Sequence, residues 1–230
     1  MAKLIVIDGL DGCGKQTQVK NISIELQKLG YNIHKIDFPK YESLSSGPIR
    51  MYLNGEIKND AEELNPYFCS LLYAVDRGIQ YYSEFEKIYQ QSDTVILADR
   101  YLSANVIYQG AKCKTLEDKQ KLFKWIYEIE TEKIGIPVED ITIALTLPVE
   151  TSQKLMSGRY SGDESKKDLH ESNLKFLNKC HDNLEVACDY LPTIGYNWVK
   201  LDCSDNLGEI KSVEEITYEI MKIIQPIIDK

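Results

Sequence analysis

The chain has 230 residues, 43% of them hydrophobic and 27% charged, with a formal net charge of −9. That composition suits a soluble globular fold with a sizeable core; the acidic balance argues against a general nucleic-acid surface, and no apolar run is long enough to span a membrane. The apolar part of Met1-Ala-Lys-Leu-Ile-Val-Ile-Asp8 is too short for a signal peptide, and six cysteines without a C-x-x-C pair read as free thiols of a reducing cytosol, so a cytoplasmic location is expected.

The apolar run Leu4-Ile-Val-Ile7 predicts a strand. A turn with Gly9, Gly12 and Gly14 follows, then Lys15 and an amphipathic segment carrying Val19, Ile22, Ile24, Leu26 and Leu29. Strand, tight loop and helix in that order leave backbone N–H groups at the positive end of a helix, which is a ready anion site. The spacing Gly9-x4-Gly14-Lys15 fits the phosphate-binding P-loop up to its last position. There Gln16 stands in place of Ser or Thr, with Thr17 one place late. The candidate nucleotide-phosphate contacts are therefore Gly9, Leu10, Asp11, Gly12, Cys13, Gly14, Lys15, Gln16 and Thr17. Cys13 reads either as a small residue that fits the turn or as a thiol activated by Lys15.

Tyr31 to Phe38 predicts a second strand, ended by Pro39. A short helix is expected over Ile49 to Leu53 and a long one from Pro66 to about Gln91. Thr94 to Ala98 is a buried third strand, closed by Asp99-Arg100. Helical patterns cover Tyr101 to Gln109 and Leu116 to Ile134, and Ile141 to Leu147 is a fourth strand. A helix is expected from Val149 to about Met156, then a polar, basic stretch from Ser157 to Asp168, then a helix from Glu171 to about Tyr190. Trp198 to Leu201 is a short fifth strand, and Val213 to Ile228 a last helix with Ile216, Ile220, Ile223, Ile224 and Ile227 on its apolar face. Alternating strands and helices call for an α/β fold: a five-stranded parallel sheet with helices on both faces. No linker or repeat divides the chain, so 1–230 is expected to be one domain with a short lid at about 157–168.

Ligands of open α/β sheets bind beyond the carboxyl ends of the strands. The loops after the first three strands, carrying Asp8 to Lys15, Phe38 to Tyr41 and Asp99-Arg100, should converge on one cleft. Asp11, inside the phosphate loop, would repel phosphate unless it faces hydrated magnesium or a sugar hydroxyl. Asp99 stands where a residue holding Mg2+ through water is expected, and Arg100 offers a bidentate fork to a second phosphate. Tyr73 and Arg77 are four apart on one helix face, as are Tyr101, Asn105 and Tyr108 at i, i+4 and i+7. A ring beside a guanidinium can stack on a base, and an Asn can both donate to and accept from a base edge. Arg159, Lys166 and Lys167 make the lid basic, as phosphoryl transfer would require.

Taken together these motifs resemble the thymidylate kinases, P-loop nucleoside-monophosphate kinases that phosphorylate dTMP with ATP. The match spans nearly the whole chain: Asp8 to Lys15, Phe38-Pro-Lys-Tyr41, Leu72-Tyr-Ala-Val-Asp-Arg77, Asp99-Arg-Tyr101 with Asn105 and Tyr108, Leu147-Pro-Val149, and Lys167-Asp-Leu-His-Glu171 after the lid. The resemblance implies ATP and Mg2+, a homodimer, and roles residue by residue. Lys15 and the loop amides would hold ATP, Asp11 the acceptor's 3′-hydroxyl, and Arg100 and Lys40 the phosphates being joined. Phe38, Pro39, Tyr73, Arg77 and Asn105 would line the thymidine pocket, and Tyr108 would crowd the 2′ position. Asp99, with Asp11, would hold Mg2+ through water. Gly12 sits where some members carry an arginine, which implies that the catalytic cations lie in the lid, Arg159 first. Three departures stand out: Gln16 for Ser/Thr, Lys40 for Arg, and Tyr73 for Phe. Competing readings are a kinase for another monophosphate or for a deoxynucleoside, with Asp8 as base, or a nucleotide-binding protein without catalysis. The run Asn178-Lys-Cys-His-Asp182 is one residue too long for the N-K-x-D of a GTPase.

Overall fold

The computed structural model describes residues 1–159, 169–170, 173–205 and 208–229, the side chains of 157–159 excepted. Its centre is a sheet of five strands: β1 Lys3–Gly9, β2 Asn32–Asp37, β3 Thr94–Asp99, β4 Ile141–Thr146 and β5 Trp198–Asp202. Their order is β2-β3-β1-β4-β5, and every pairing is parallel. β3 and β4 are buried at every position. Their sequences are apolar but for Thr94, Asp99, Thr142 and Thr146, because a parallel sheet is covered on both faces.

Along each strand, alternate side chains enter different cores. Leu4, Val6, Ile96, Ala98 and Ala144 face the helices α5 Leu102–Gly110, α6 Leu116–Tyr127 and α8 Leu174–Tyr190. Ile5, Ile7, Leu97, Ile143 and Leu145 face α1 Lys15–Lys28 and α9 Val213–Ile228 through Val19, Ile22, Leu26, Ile216, Ile220 and Ile224. Ser212 caps α9 in a reciprocal box with Glu215. The remaining helices are α2 Gly47–Leu53, α3 Pro66–Gln80, α4 Glu86–Tyr89 and α7 Val149–Arg159. A smaller core joins Ile49, Tyr52 and Leu53 of α2 to Cys69 of α3.

Two long helices expected from the sequence are interrupted. The first ends at Gln80 and passes through a wide π turn, Tyr81–Phe85, before α4; the second ends at Tyr127 and passes through another, Glu128–Ile134. An inserted residue widens the turn without stopping the apolar pattern, so a 3.6-residue period does not register it. The helix expected from Glu171 begins at Leu174, where the Asn173 side chain accepts from Phe176 N–H at 3.0 Å. The expected lid lies largely outside the described residues, which include neither Lys166 nor Lys167 nor the side chain of Arg159.

α5 carries several candidate site residues, and it is fastened from α8. Asn183 is fully buried, and its Nδ2 donates to the carbonyls of Val106 and Ile107 at 2.8 and 2.9 Å. Replacing it by Leu would remove these bonds inside an apolar layer. Asn183→Leu is therefore expected to lower stability by about 1–3 kcal/mol, read as a shifted urea midpoint at an unchanged denaturant slope.

Candidate active site

The carboxyl ends of β1, β2, β3 and β4 open on one cleft of about 910 Å3. At one end lies the glycine loop between β1 and α1. Gly14 caps α1 in the left-handed conformation, φ 89°, and no side chain caps that end. The first amides of α1 have no partner within the helix, so the helix presents donors to an anion. Asp11 to Gln18 line the cleft there, Gln16 and Thr17 included. Lys15 is folded over its own loop: Nζ donates to Gly9 O at 3.1 Å and Leu10 O at 2.8 Å, and lies 3.8 Å from Asp11 Oδ1. Gly12, at φ 85°, has no room for a side chain, because a Cβ would stand 2.3 Å from the carbonyl oxygen of Ser152 in α7. The packing of α7 on the loop thus excludes an arginine at this position. Cys13 is buried, and burial pushes its thiol up, which makes it a packing residue and no reactive thiol.

The cleft continues past Asp11, Phe38, Pro39 and Arg100 into a narrow pocket lined also by Tyr73, Arg77, Asn105, Tyr108, Gln109 and His170. That pocket holds about 30 Å3, little more than one water molecule needs, so a planar base enters only when lining side chains move apart. Asp11 is pinned between two partners. Arg100 Nη2 donates to Oδ1 and Tyr108 Oη to Oδ2, the latter at 2.8 Å. Burial pushes the Asp11 carboxyl up, but Arg100, Lys15 and the Tyr108 hydroxyl outweigh it and hold it well below the usual carboxylate range. Arg100 has a left-handed backbone, φ 67°, unusual for a residue with a side chain. Its Nε is buried without a hydrogen-bond partner among the described residues.

Behind the pocket, Arg77 is almost wholly buried; its Nε and Nη2 each donate to Glu130 at 2.6 Å, and Nη1 to Tyr101 O at 3.2 Å. Asn105 Nδ2 donates to Ser70 O at 3.0 Å and to Glu130 Oε1 at 2.9 Å. Glu130 and Gln109 are absent from the sequence motifs, and His170 enters them only within Lys167-Asp-Leu-His-Glu171. Glu130 sits on a helix face interrupted by a π turn and gave no local signal. His170 had a weak one, as a histidine directly after the basic stretch.

Some expected residues are placed differently. Lys40 does not line the cleft: its ammonium is held by both carboxylate oxygens of Glu84, with Oε2 at 2.6 Å. Asp8 is fully buried behind the loop, where it accepts from Gly9 N–H at 2.8 Å and Ser103 Oγ at 2.5 Å. Burial raises its carboxyl, although Arg100 and Lys15 oppose that. An acid closed off in this way is poorly placed to take a proton from a hydroxyl acceptor in the cleft. Gly9 and Leu10 lie behind the lining, their carbonyls turned to Lys15. Asn178 to Asp182 lie within α8. Asp99 lines the cleft in register with Asp37 on the neighbouring strand. Burial, then Asp99 and Glu42, raise the Asp37 carboxyl, the mark of crowded acids that a cation would relieve. No cluster of three or more metal-ligating side chains occurs among the described residues.

A family model described as thymidylate kinase matches residues 7–212. The thymidylate kinase of Mycobacterium tuberculosis is 29% identical over 178 residues, which cover 76% of this chain and 81% of that one. A probable thymidylate kinase of Thermococcus onnurineus is 27% identical over 223 residues, covering 96% of each chain. A solved thymidylate kinase structure from Candida albicans aligns with a TM-score of 0.68 over 98% of this chain and 92% of that one, a likeness of fold at 22% identity.

His170 stacks on Tyr108 at 5.3 Å and 12°, and its Nε2 lies 2.7 Å from Tyr52 Oη, which accepts from Lys112 at 2.8 Å. Lysine can only donate, so the tyrosine proton is left for the imidazole or for Ala61 O, 3.5 Å from the hydroxyl. Burial and the nearby Lys112 push His170 down from 6.5 to about 3. The unfolded chain takes up this proton near pH 6.5 and the folded chain not until about pH 3, so acid favours unfolding across that window. Between pH 6.5 and 5 the loss should be about 2 kcal/mol, measured by urea denaturation at both pH values. His170→Phe should flatten that slope, and an unchanged slope would show that other groups carry it.

Proposed function

The chain belongs to the thymidylate kinase family, and we infer that its cleft transfers the terminal phosphoryl group of ATP to dTMP, giving ADP and dTDP. It is a nucleoside-monophosphate kinase, a phosphotransferase. The observation that carries this reading is a single cleft with a P-loop at one end, a narrow pocket of apolar walls and a few polar groups at the other, and the Asp11–Arg100 pair between them.

In this reading Lys15 and the amides of Gly12 to Thr17 take the ATP phosphates. Lys15 has only its own loop carbonyls and Asp11 to leave. Arg100, with its unpaired Nε, takes the acceptor phosphate. Asp11 meets the sugar 3′-hydroxyl, and Tyr108, held against it, crowds the 2′ position. Phe38, Pro39 and Tyr73 wall the base, whose edge meets Arg77 and Asn105. A monophosphate is already an anion at neutral pH, so no general base is needed; alignment and positive charge make up the catalysis. Lys40 would join the phosphates only by leaving Glu84, and Arg159, Lys166 and Lys167 remain the proposed lid cations. Mg2+ fits beside Asp99 and Asp37, held through water, where it would neutralise charge on the ATP phosphates. Asp11 is the poorer ligand, since both its oxygens are engaged.

We further propose one domain over 1–230 that pairs as a homodimer in the cytoplasm. Phe68, Leu71, Val75, Ile79 and Tyr82 form an exposed apolar stripe along α3 and into its π turn, at a spacing that suits helix-to-helix packing. No helix among the described residues is long and apolar enough to cross a membrane, and all six cysteines are free.

With ATP and Mg2+, ADP release should be fastest with dTMP among dTMP, UMP, dCMP and AMP, and absent with thymidine; no turnover of any monophosphate would overturn the reading. Lys15→Ala should lower kcat by at least about 100-fold while the melting profile stays cooperative, and retained activity would place the chemistry elsewhere.

A further inference from the structure

Glu130 is a carboxylate that contacts neither phosphate nor sugar groups in the roles above, yet it is buried to 1% exposure beside the base end of the cleft. It sits in the wide turn Glu128–Ile134. Three donors converge on it: Arg77 Nε on Oε2 at 2.6 Å, Arg77 Nη2 on Oε1 at 2.6 Å, and Asn105 Nδ2 on Oε1 at 2.9 Å. The other hydrogen of Asn105 Nδ2 goes to Ser70 O at 3.0 Å.

A side-chain amide has nearly the same shape when turned by half a rotation, but its polarity reverses. Here the orientation is dictated. A carboxylate and a backbone carbonyl only accept, so Nδ2 must face both of them. The polar atom left to Asn105 is Oδ1, an acceptor, which carries no hydrogen bond among the described residues, and Asn105 lines the acceptor pocket. The opposite orientation would set Oδ1 against two acceptors in a buried layer.

We infer that Glu130 is a positioning residue for base selection: with Ser70 O it holds the Asn105 amide so that an acceptor meets the base edge. The ligands that suit this pocket are pyrimidines whose N3 carries a hydrogen, thymine and uracil. Cytosine presents a bare N3 lone pair at the same place, and two facing acceptors repel. Arg77 adds to the discrimination because it can only donate, which suits a 4-oxo group and not a 4-amino group. This inference rests on the monophosphate-kinase reading of the cleft.

The test compares kcat/KM for dTMP, dUMP and dCMP with ATP and Mg2+ in the wild type, Glu130→Gln and Asn105→Ala. Gln is isosteric but brings a donor, so it weakens the constraint on Asn105, which Ser70 O is then left to hold alone. The dCMP-to-dTMP ratio of kcat/KM should rise by about tenfold or more in Glu130→Gln, chiefly through a raised KM for dTMP. A role confined to stability would lower all three substrates by one factor, and an unmoved ratio in a folded variant would overturn the proposal. Should Glu130→Gln fail to give a cooperative melt, Asn105→Ala carries the test, since it leaves the Arg77–Glu130 pair intact. Its ratio should also rise, and an unmoved ratio there would equally overturn the proposal. A wild type active on dTMP but unmoved in its variants sinks this inference alone; a wild type inactive on every monophosphate sinks the reading beneath it as well.

Discussion

A carboxylate inside a phosphate-binding loop needs a cation of its own, and in this chain Arg100 supplies it. The guanidinium bonds Asp11, and the Tyr108 hydroxyl takes the other oxygen. Three elements meet at that point: the loop after β1, the end of β3 and the middle of α5. The parallel register that sets Ile7 beside Asp99 brings them together, and the amide of Arg100 donates back to Ile7 O at 3.1 Å. The left-handed backbone of Arg100 belongs to the same arrangement. A residue in that conformation is held by its surroundings, here by a part-buried ion pair and a hydrogen bond to the end of the central strand.

From this junction the two halves of the cleft differ in character. The phosphate end is wide and built from backbone: amides of a loop and of a helix end, with Lys15 lying across them. The base end is narrow and built from side chains that are held in place from behind. Arg77 bonds Glu130 and Tyr101 O, and Asn105 bonds Glu130 and Ser70 O through Nδ2, while Asn105 Oδ1 and Gln109 Oε1 keep no partner among the described residues. A site that offers fixed polar groups to its ligand discriminates strongly, since the wrong partner leaves a buried group unpaired. Its small volume also means that binding and rearrangement of the walls go together, and α5 must stay fixed while the walls move. Asn183 and the apolar contacts of α8 supply that fixed support.

His170 connects the base end to the segment at 169–170. Its ring lies on Tyr108 and its nitrogen meets Tyr52, which Lys112 also holds. His170 is thereby fastened to the residue that touches Asp11. Burial and the nearby Lys112 keep this imidazole neutral, against the opposing pull of Asp11.

Much of this protein is legible in its sequence because the signals are local. The five-stranded parallel sheet follows from apolar runs alternating with amphipathic ones, and the phosphate loop follows from glycine spacing between a strand and a helix. Asp11, Tyr73, Arg77, Asp99, Arg100, Asn105 and Tyr108 all line the cleft because they sit at strand ends or share a helix face, which sequence spacing encodes. The tertiary structure alone decided what those residues bond to. Glu130 is 53 residues from Arg77 and reaches it through a π turn that no 3.6-residue pattern reveals. Lys40 turns to Glu84 because α3 continues into a second wide turn beside it. Gly12 looks like a choice among loop residues until α7 packs 2.3 Å from where its Cβ would be. Periodicity records which face of an element is buried; the partner across that face depends on the packing of segments far apart in the chain.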